Sequence, residues 1–458
     1  MTILLVAVAI CLLALAGYLL GRQRAELMTA TGITHSRPGY HGAYIALWTL
    51  IGGFAFLFFW LIFEPLIAQW LLVSWLPPGD QELPEARLSL LITNIVNTVS
   101  SGISSGALSP EQAAAGEQYL AFRAAATWIM VVVTVAIALA AGWLGMRQLS
   151  PTFRARNRVE QIVRAMMIVA STIAILTTFG IVISLLFEAM RFFARVPFFD
   201  FLFGLSWSPQ TAIRADQVGS SGEFGAIPLI VGTLLITVIA MLVAVPIGLF
   251  SAVYMSEYAG PRMRGFAKPV LEILAGIPTV VYGFFAALVM APFFRDLGAD
   301  LGIAVSSESA LAAGIVMGIM IIPFVSSLSD DVMNSVPQTL RDGAYALGAT
   351  KSETIKQVIL PAALPGIVGA VLLAVSRAIG ETMIVVMAAG LTANLTANPL
   401  EAVTTITVQI ATLLVGDQEF DSAKTLSAFA LGLLLFAVTL ALNFFALRIV
   451  QKYREKYD

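Results

Sequence analysis

Charge is what this chain has least of. Only 12% of its 458 residues are Asp, Glu, Lys or Arg, against 59% hydrophobic, where a soluble domain carries about 25% charged residues. With a mean hydropathy of +0.89, a membrane protein is implied. The net charge of −2 leaves no global basic field for nucleic acid. Cys11 is the only cysteine, which excludes an internal disulfide. The two histidines, His35 and His41, flank a Pro-Gly in a polar linker, and two ligands do not close a metal site. No apolar stretch holds a histidine, which argues against a haem-bearing redox protein. The six lysines are each preceded by a residue other than glycine. The phosphate cradle Gly-x4-Gly-Lys-Ser/Thr is therefore absent, and ATP binding is not encoded here.

What is present is a series of apolar stretches near the ~20 residues that cross a bilayer. Nine are expected, near 2–20, 43–63, 125–146, 162–187, 226–255, 269–292, 308–328, 363–390 and 426–447. The first has Ala14-Leu15-Ala16, which looks like a cleavage site. But Arg22 and Arg24 follow it and no basic residue precedes it, the reverse of a signal peptide. It is read as an uncleaved span.

Basic residues orient the spans. Arg22, Arg24 and Arg37 lie in 21–42; Arg147, Arg154, Arg156 and Arg158 lie in 147–161. Arg262, Arg264 and Lys268 lie in 256–268, and Arg448, Lys452, Arg454 and Lys456 in the tail. The alternate segments 64–124 and 391–425 are acidic. This pattern predicts an N-terminus outside and a C-terminus in the cytoplasm. Residues 1–150 then form a three-span extension with an outside loop, 64–124. Residues 151–225 hold a basic junction, the first core span and an outside segment, whose FFARVPFFDFLFG aromatics suit a membrane interface. The rest of a six-span core occupies 226–450.

One polar island interrupts the core, DGAYALGATKSETIKQVILP at 342–361. The segment Ser329–Pro361 reads as two short helices. Pro337 suits an early position in the first. Leu340, Ala344 and Leu347 recur at i, i+4 and i+7, which gives that helix an apolar face. Gly348 follows its end. Thr350-Lys351-Ser352-Glu353 has the spacing of a capping box, and Ile355, Val358 and Ile359 share a side of the second helix.

The island resembles the cytoplasmic motif of importer permeases of the ATP-binding cassette class: Glu-Ala-Ala, three residues, Gly, nine residues, Ile-x-Leu-Pro. Here it falls on Asp342-Gly343-Ala344, Gly348 and Val358-Ile359-Leu360-Pro361, with every offset kept. Asp replaces Glu, Val replaces Ile, and Gly343 replaces an Ala at a cost of about 1 kcal/mol in helix stability. The resemblance implies a coupling helix that seats in an ATPase subunit, through Asp342, Gly343, Ala344, Gly348, Leu360 and Pro361.

Span 363–390 contains "AVSRAIGETMIVV". Arg377 and Glu381 are spaced i, i+4, so on a continuous helix they would share a face and partly neutralise each other. A charge at the bilayer centre costs about 2.5–3.5 kcal/mol, so the pair should face protein or a wet route. It could glue two subunits together or stand beside the path of an anion, and both uses can coexist. "RAIGET" is similar to the Arg-Ala-Leu-Gly-Glu-Thr run of phosphate-importer permeases. "LEILAGIPTVVYGFF" at 271–285 is similar to a run in their PstC-type subunit. In 271–285, Gly276-Ile277-Pro278 predicts a proline kink, with a gating hinge as the lesser reading.

The likeness covers 162–450. It implies an all-α integral membrane protein, a six-helix importer permease core plus the three-helix extension, in a bacterial inner membrane. It implies phosphate import, with Arg377 and Glu381 on the translocation pathway and no covalent chemistry in this chain. The implied partners are a PstA-like permease, two ATPase subunits that hold ATP-Mg, a periplasmic phosphate-binding protein and lipid. The rivals are the PstA-like permease itself or a permease for another oxyanion. A channel or secondary transporter is a further class, but it would have no use for the 342–361 island.

Overall fold

The computed structural model describes residues 2–31, 34–101, 108–211, 221–415 and 421–453. Among these, nine helices are long and apolar enough to cross a membrane. The chain is a multi-pass, all-α membrane protein with one small β-hairpin. It divides into two compact units, Met1–Leu176 and Thr177–Asp458.

In the first unit, α1 (Thr2–Thr31) and α2 (Pro38–Trp75) pack side by side. A short turn of helix, α3 (Pro78–Gln81), and an amphipathic α4 (Glu85–Ser101) lead to α5 (Pro110–Arg147), which packs on α1 and α2. Small residues bring these backbones close, as membrane helices require. A Cβ on Gly53 would lie 3.0 Å from Ile10, and one on Gly142 would lie 2.6 Å from the Thr49 hydroxyl. Val6 and Ile10 of the first span are buried with Leu57 and Met130.

Segment 64–124 departs from the expected loop, because most of it is helical. α2 continues to Trp75 until Pro77 and Pro78 stop it. Ser109 then opens α5 with a capping box: its hydroxyl accepts the Gln112 N–H at 3.2 Å, and the Gln112 side chain accepts the Ser109 N–H at 3.0 Å. α6 (Ala155–Phe193) contains the boundary between the units.

The second unit continues with α7 (Phe198–Phe203) and the antiparallel strands β1 (Trp207–Thr211) and β2 (Ser221–Phe224). Phe192, Phe201, Trp207 and Phe224 are buried together, whereas Phe199 and Phe203 are exposed. Part of the aromatic run is therefore core, and only the rest is free to form an interfacial belt. α8 (Ile227–Val253) follows, then a π turn, Tyr254–Tyr258, and α9 (Pro261–Ala275).

The sixth span is displaced from the expected 269–292. α9 stops at Ala275 and Gly276 caps it, while Pro278 caps the start of α10 (Thr279–Phe285). Pro278 thus marks a break between helices and does not kink a continuous one. The span is Thr279–Asp300, built from α10, a π turn at Ala286–Met290, and α11 (Ala291–Asp300).

α12 (Ala310–Asn334) packs extensively on α8. A Cβ on Gly318 would sit 2.8 Å from the Ala240 carbonyl oxygen, and one on Gly248 2.8 Å from Val325. α13 (Gln338–Ala346), α14 (Lys351–Thr354), a π turn at Ile355–Ile359 and α15 (Leu360–Ile379) come next. α16 (Met383–Ala388), α17 (Ile406–Leu413) and α18 (Ala423–Tyr453) complete the chain.

Each of the three π turns precedes a proline by two or three residues: Pro261, Pro292 and Pro361. Proline lacks the N–H and its ring crowds the carbonyl four residues back. At Pro292 and Pro361, where the helix continues, one extra residue in the preceding turn relieves that conflict; before Pro261 the helix has already ended in extended backbone at Ala259 and Gly260.

Candidate functional site

The island at 329–361 folds as a knuckle, with adjusted limits. Residues 329–334 belong to the end of α12. Pro337 caps α13. Gly348 has φ +86°, a left-handed turn where L side chains are strained. The Thr350–Glu353 capping box is formed: the Thr350 N–H donates to Glu353 Oε2 at 2.8 Å, and the Glu353 N–H donates to Thr350 Oγ1 at 3.3 Å. The second helix does not end before the span. α14, the π turn and α15 run as one helix, Lys351–Ile379.

The knuckle has an inner and an outer side. Leu340, Ile355 and Ile359 pack with Ala252, Met333 and Val336 in one apolar cluster. Leu347, expected on the same face as Leu340, is 91% exposed. It is the C-cap of α13, and leaving helical geometry turns it outward. Tyr345 is exposed beside it. Leu347 and Tyr345 thus give the polar loop an apolar tip. Asp342 is exposed and accepts from Gln338 Nε2 at 3.1 Å. Gly343 has open space where a Cβ would stand.

What braces the knuckle escaped the sequence reading. Arg341 is 8% exposed. Its guanidinium donates to Glu257 at 3.2 Å and to the carbonyls of Met333 and Val336 at 2.8 and 2.6 Å. Lys351 lies 4.8 Å over the Tyr258 ring. Both contacts reach the same π turn, Tyr254–Tyr258. A second brace ties α9 to the end of α12. Asp330, 1% exposed, accepts from Arg264 at 3.0 Å and from Lys268 at 3.4 Å. Asn334 adds a hydrogen bond to Asp330 at 2.9 Å, and Lys268 also reaches Asp331 at 2.8 Å. The Asp331 hydrogen bond, more than any other contact, raises the Lys268 ammonium above its usual range. Arg341 and Glu257 lie 84 residues apart, and no local spacing marks them as partners.

The expected Arg377–Glu381 pair does not form as a helical pair. α15 ends at Ile379, with Gly380 as its C-cap. Glu381 lies beyond the helix, and its Oε1 accepts the N–H groups of Thr382 and Met383 at 3.1 and 2.9 Å. Its own carbonyl accepts from the Thr407 hydroxyl at 2.8 Å. Arg377 has no ion pair among the described residues. Its guanidinium lies 5.8 Å over the Phe324 ring, and the side chain is otherwise exposed. The span 363–390 is thus a helix, a break and the short α16.

Irregular, non-helical backbone follows from 390 to 405, and buried polar groups satisfy part of it. The Ile406 N–H donates to Thr233 Oγ1 at 3.2 Å. Gln409 accepts from Trp207 Nε1 at 3.0 Å and donates to the Leu391 carbonyl at 2.9 Å. Non-helical backbone at membrane depth persists only where protein or water satisfies it.

Helices broken beside a charge, and an apolar-tipped knuckle beside one of them, fit a membrane transport permease. Sequence comparisons agree. Residues 244–455 match the family described as binding-protein-dependent transport system inner membrane component. Residues 7–177 match a family described as phosphate ATP-binding cassette transporter. The chain is 34% identical to a probable ABC transporter permease protein, YqgH, of Bacillus subtilis, over 52% of this chain and 74% of that protein. It is 32% identical to the phosphate transport system permease protein PstC of Mesorhizobium japonicum, over 53% of this chain and 75% of that protein. A solved bacterial transporter of the acidic polysaccharide alginate is similar over 65% of this chain and 99% of that one, at 15% identity and a TM-score of 0.44.

The chain belongs to the PstC-type family of phosphate transport permeases. The match over 7–177 brings the three-span extension into the same kind of system.

Proposed function

We propose that the chain is the transmembrane subunit of an ATP-driven importer of inorganic phosphate. It forms the translocation route with a homologous, PstA-like permease. Two ATPase subunits bind ATP-Mg below the permease pair, one of them docked on this chain's knuckle, and a periplasmic phosphate-binding protein delivers the substrate. This chain makes and breaks no covalent bond. Its N-terminus lies outside and its C-terminus in the cytoplasm of a bacterial inner membrane, as the alternation of basic and acidic segments supports.

The observation that carries this reading is the apolar tip at Leu347. It is bare in this chain, its helix α13 is braced by a nearly buried ion pair, and only the turn at Gly348 separates it from the helix Lys351–Ile379 that contains α15. A rigid, uncovered lever suits a contact that transmits force. Arg377 stands near the other end of that lever, an unpaired cation in a span. Leaving it in lipid would cost about 2.5–3.5 kcal/mol, so it faces a partner helix or the route of the anion. Glu381 spends its charge on two backbone N–H groups at the break, which shapes the route next to Arg377. One guanidinium is too little to select phosphate strongly, so most selectivity belongs to the delivery protein.

Leu347→Asp tests the reading. It should leave the chain folded and paired with its partner permease, while ATPase co-purification and phosphate uptake into vesicles both fall. Unchanged ATPase association would remove the docking assignment, and uptake of sulfate in place of phosphate would change the substrate.

A further inference from the structure

The first unit carries a pocket that contains none of the residues assigned to transport above. It lies where the end of α5, the start of α6 and the start of α2 meet. The backbone joins these ends: the His35 N–H donates to the Pro151 carbonyl at 3.1 Å, and the Arg156 N–H donates to Ser36 Oγ at 3.2 Å. The apolar runs of three spans begin or stop here, which places the pocket at the membrane boundary. Its volume is about 310 Å³.

One wall is aromatic. Tyr44 packs edge-on against Phe153, with ring centroids 5.0 Å apart, and Trp48 lies 6.3 Å from Tyr44. The other wall carries hydrogen-bond donors: Arg158, Gln148 and Gln161. The Tyr44 hydroxyl donates to Gln148 Oε1 at 2.7 Å, which leaves the Gln148 amide nitrogen free to donate. Arg158 has no ion pair among the described residues, and no carboxylate lines the pocket.

The surrounding segments have the same sign. Residues 21–42 and 147–164 hold eight arginines against two glutamates, a net charge of +6. Both glutamates are engaged, Glu26 by Arg22 at 2.8 Å and Glu160 by Arg156 at 2.7 Å. An aromatic half and a cationic half with amide donors and no carboxylate, at a bilayer boundary, match an amphiphile with an anionic head.

We propose that this pocket binds a phosphate group, with Arg158 as its cation and Gln148 and Gln161 as donors. The aromatic wall and the location favour the head group of an anionic phospholipid over free phosphate. Such a lipid would tie the extension to the membrane surface, independently of what the permease core transports.

The test uses the full chain in complex with its partner subunits, delipidated and examined by native mass spectrometry. Phosphatidylglycerol, phosphatidylcholine and inorganic phosphate are titrated separately. Phosphatidylglycerol should bind the unaltered complex in preference to phosphatidylcholine. Arg158→Gln should weaken it by about tenfold or more, the loss of a charge-assisted hydrogen bond to the head group. Arg154→Gln, on the same segment but outside the pocket, should change little. Binding of inorganic phosphate that Arg158→Gln removes, with no lipid retention, would keep the anion site and overturn the lipid as its source. Equal weakening by both variants, no effect of Arg158→Gln, or equal binding of phosphatidylcholine would overturn the pocket.

Discussion

Arg341 and Glu257 form a nearly buried ion pair, 3.2 Å apart, between the knuckle helix α13 and the π turn that ends α8. The arginine also closes two carbonyls at the end of α12 and the turn after it. One side chain thus joins the knuckle to two membrane helices. Removing a single partner of a buried pair leaves an uncompensated charge. Arg341→Ala should therefore destabilise this unit by about 3–5 kcal/mol. Thermal unfolding of the complex should show the loss, and Glu257→Gln combined with Arg341→Met should recover part of it. If the pair transmits force, the double variant should hydrolyse ATP while importing less phosphate per ATP.

Gly343 and Gly348 should respond oppositely to alanine. A Cβ at Gly343 meets open space inside α13, so Gly343→Ala should stabilise that helix by about 0.5–1 kcal/mol. At Gly348 the space is also open, but φ is +86°. Gly348→Ala should cost about 1–2 kcal/mol and weaken ATPase association. Hydrogen exchange of the α13 amides and co-purification measure the two effects.

Arg377→Gln should abolish most ATP-dependent phosphate uptake with little change in stability, because Arg377 has no carboxylate partner to strand. Uptake assays at matched protein level check this. Normal uptake would remove Arg377 from the route.

The brace between α9 and α12 should be insensitive to pH in the physiological range. Lys268 is held above its ordinary value of 10.5. A raised amine contributes stability that is complete below the unfolded value and is lost only as pH rises through the folded one. Protection of α9 amides, corrected for intrinsic exchange, should stay flat from about pH 6 to 9 and fall only well above 10. A decline between pH 6 and 9 would assign the brace to another group.

Much of the knuckle was legible in the chain because its signals are local. Gly348, the Thr350–Glu353 box and the Pro337 cap each depend on residues within a few positions. Span existence was legible for the same reason, since about 20 apolar residues need no partner to be recognised. Span limits were less so. Gly276 and Pro278 were visible, but whether they kink or break a helix depends on what satisfies the freed backbone. The Arg377–Glu381 spacing gave a false expectation: i, i+4 implies contact only if the helix continues, and it stops at Ile379.

Composition and short-range spacing by themselves determined a nine-span membrane chain and the knuckle, because hydropathy and capping act over one helix turn or one span; the family came from the resemblance of its motifs. Tertiary structure alone decided that Arg341 meets Glu257, that Asp330 gathers Arg264 and Lys268, and that Leu347 faces outward while Leu340 faces in. Those outcomes depend on which buried charges find partners, and a buried charge persists only beside a group that folding brings from far along the chain.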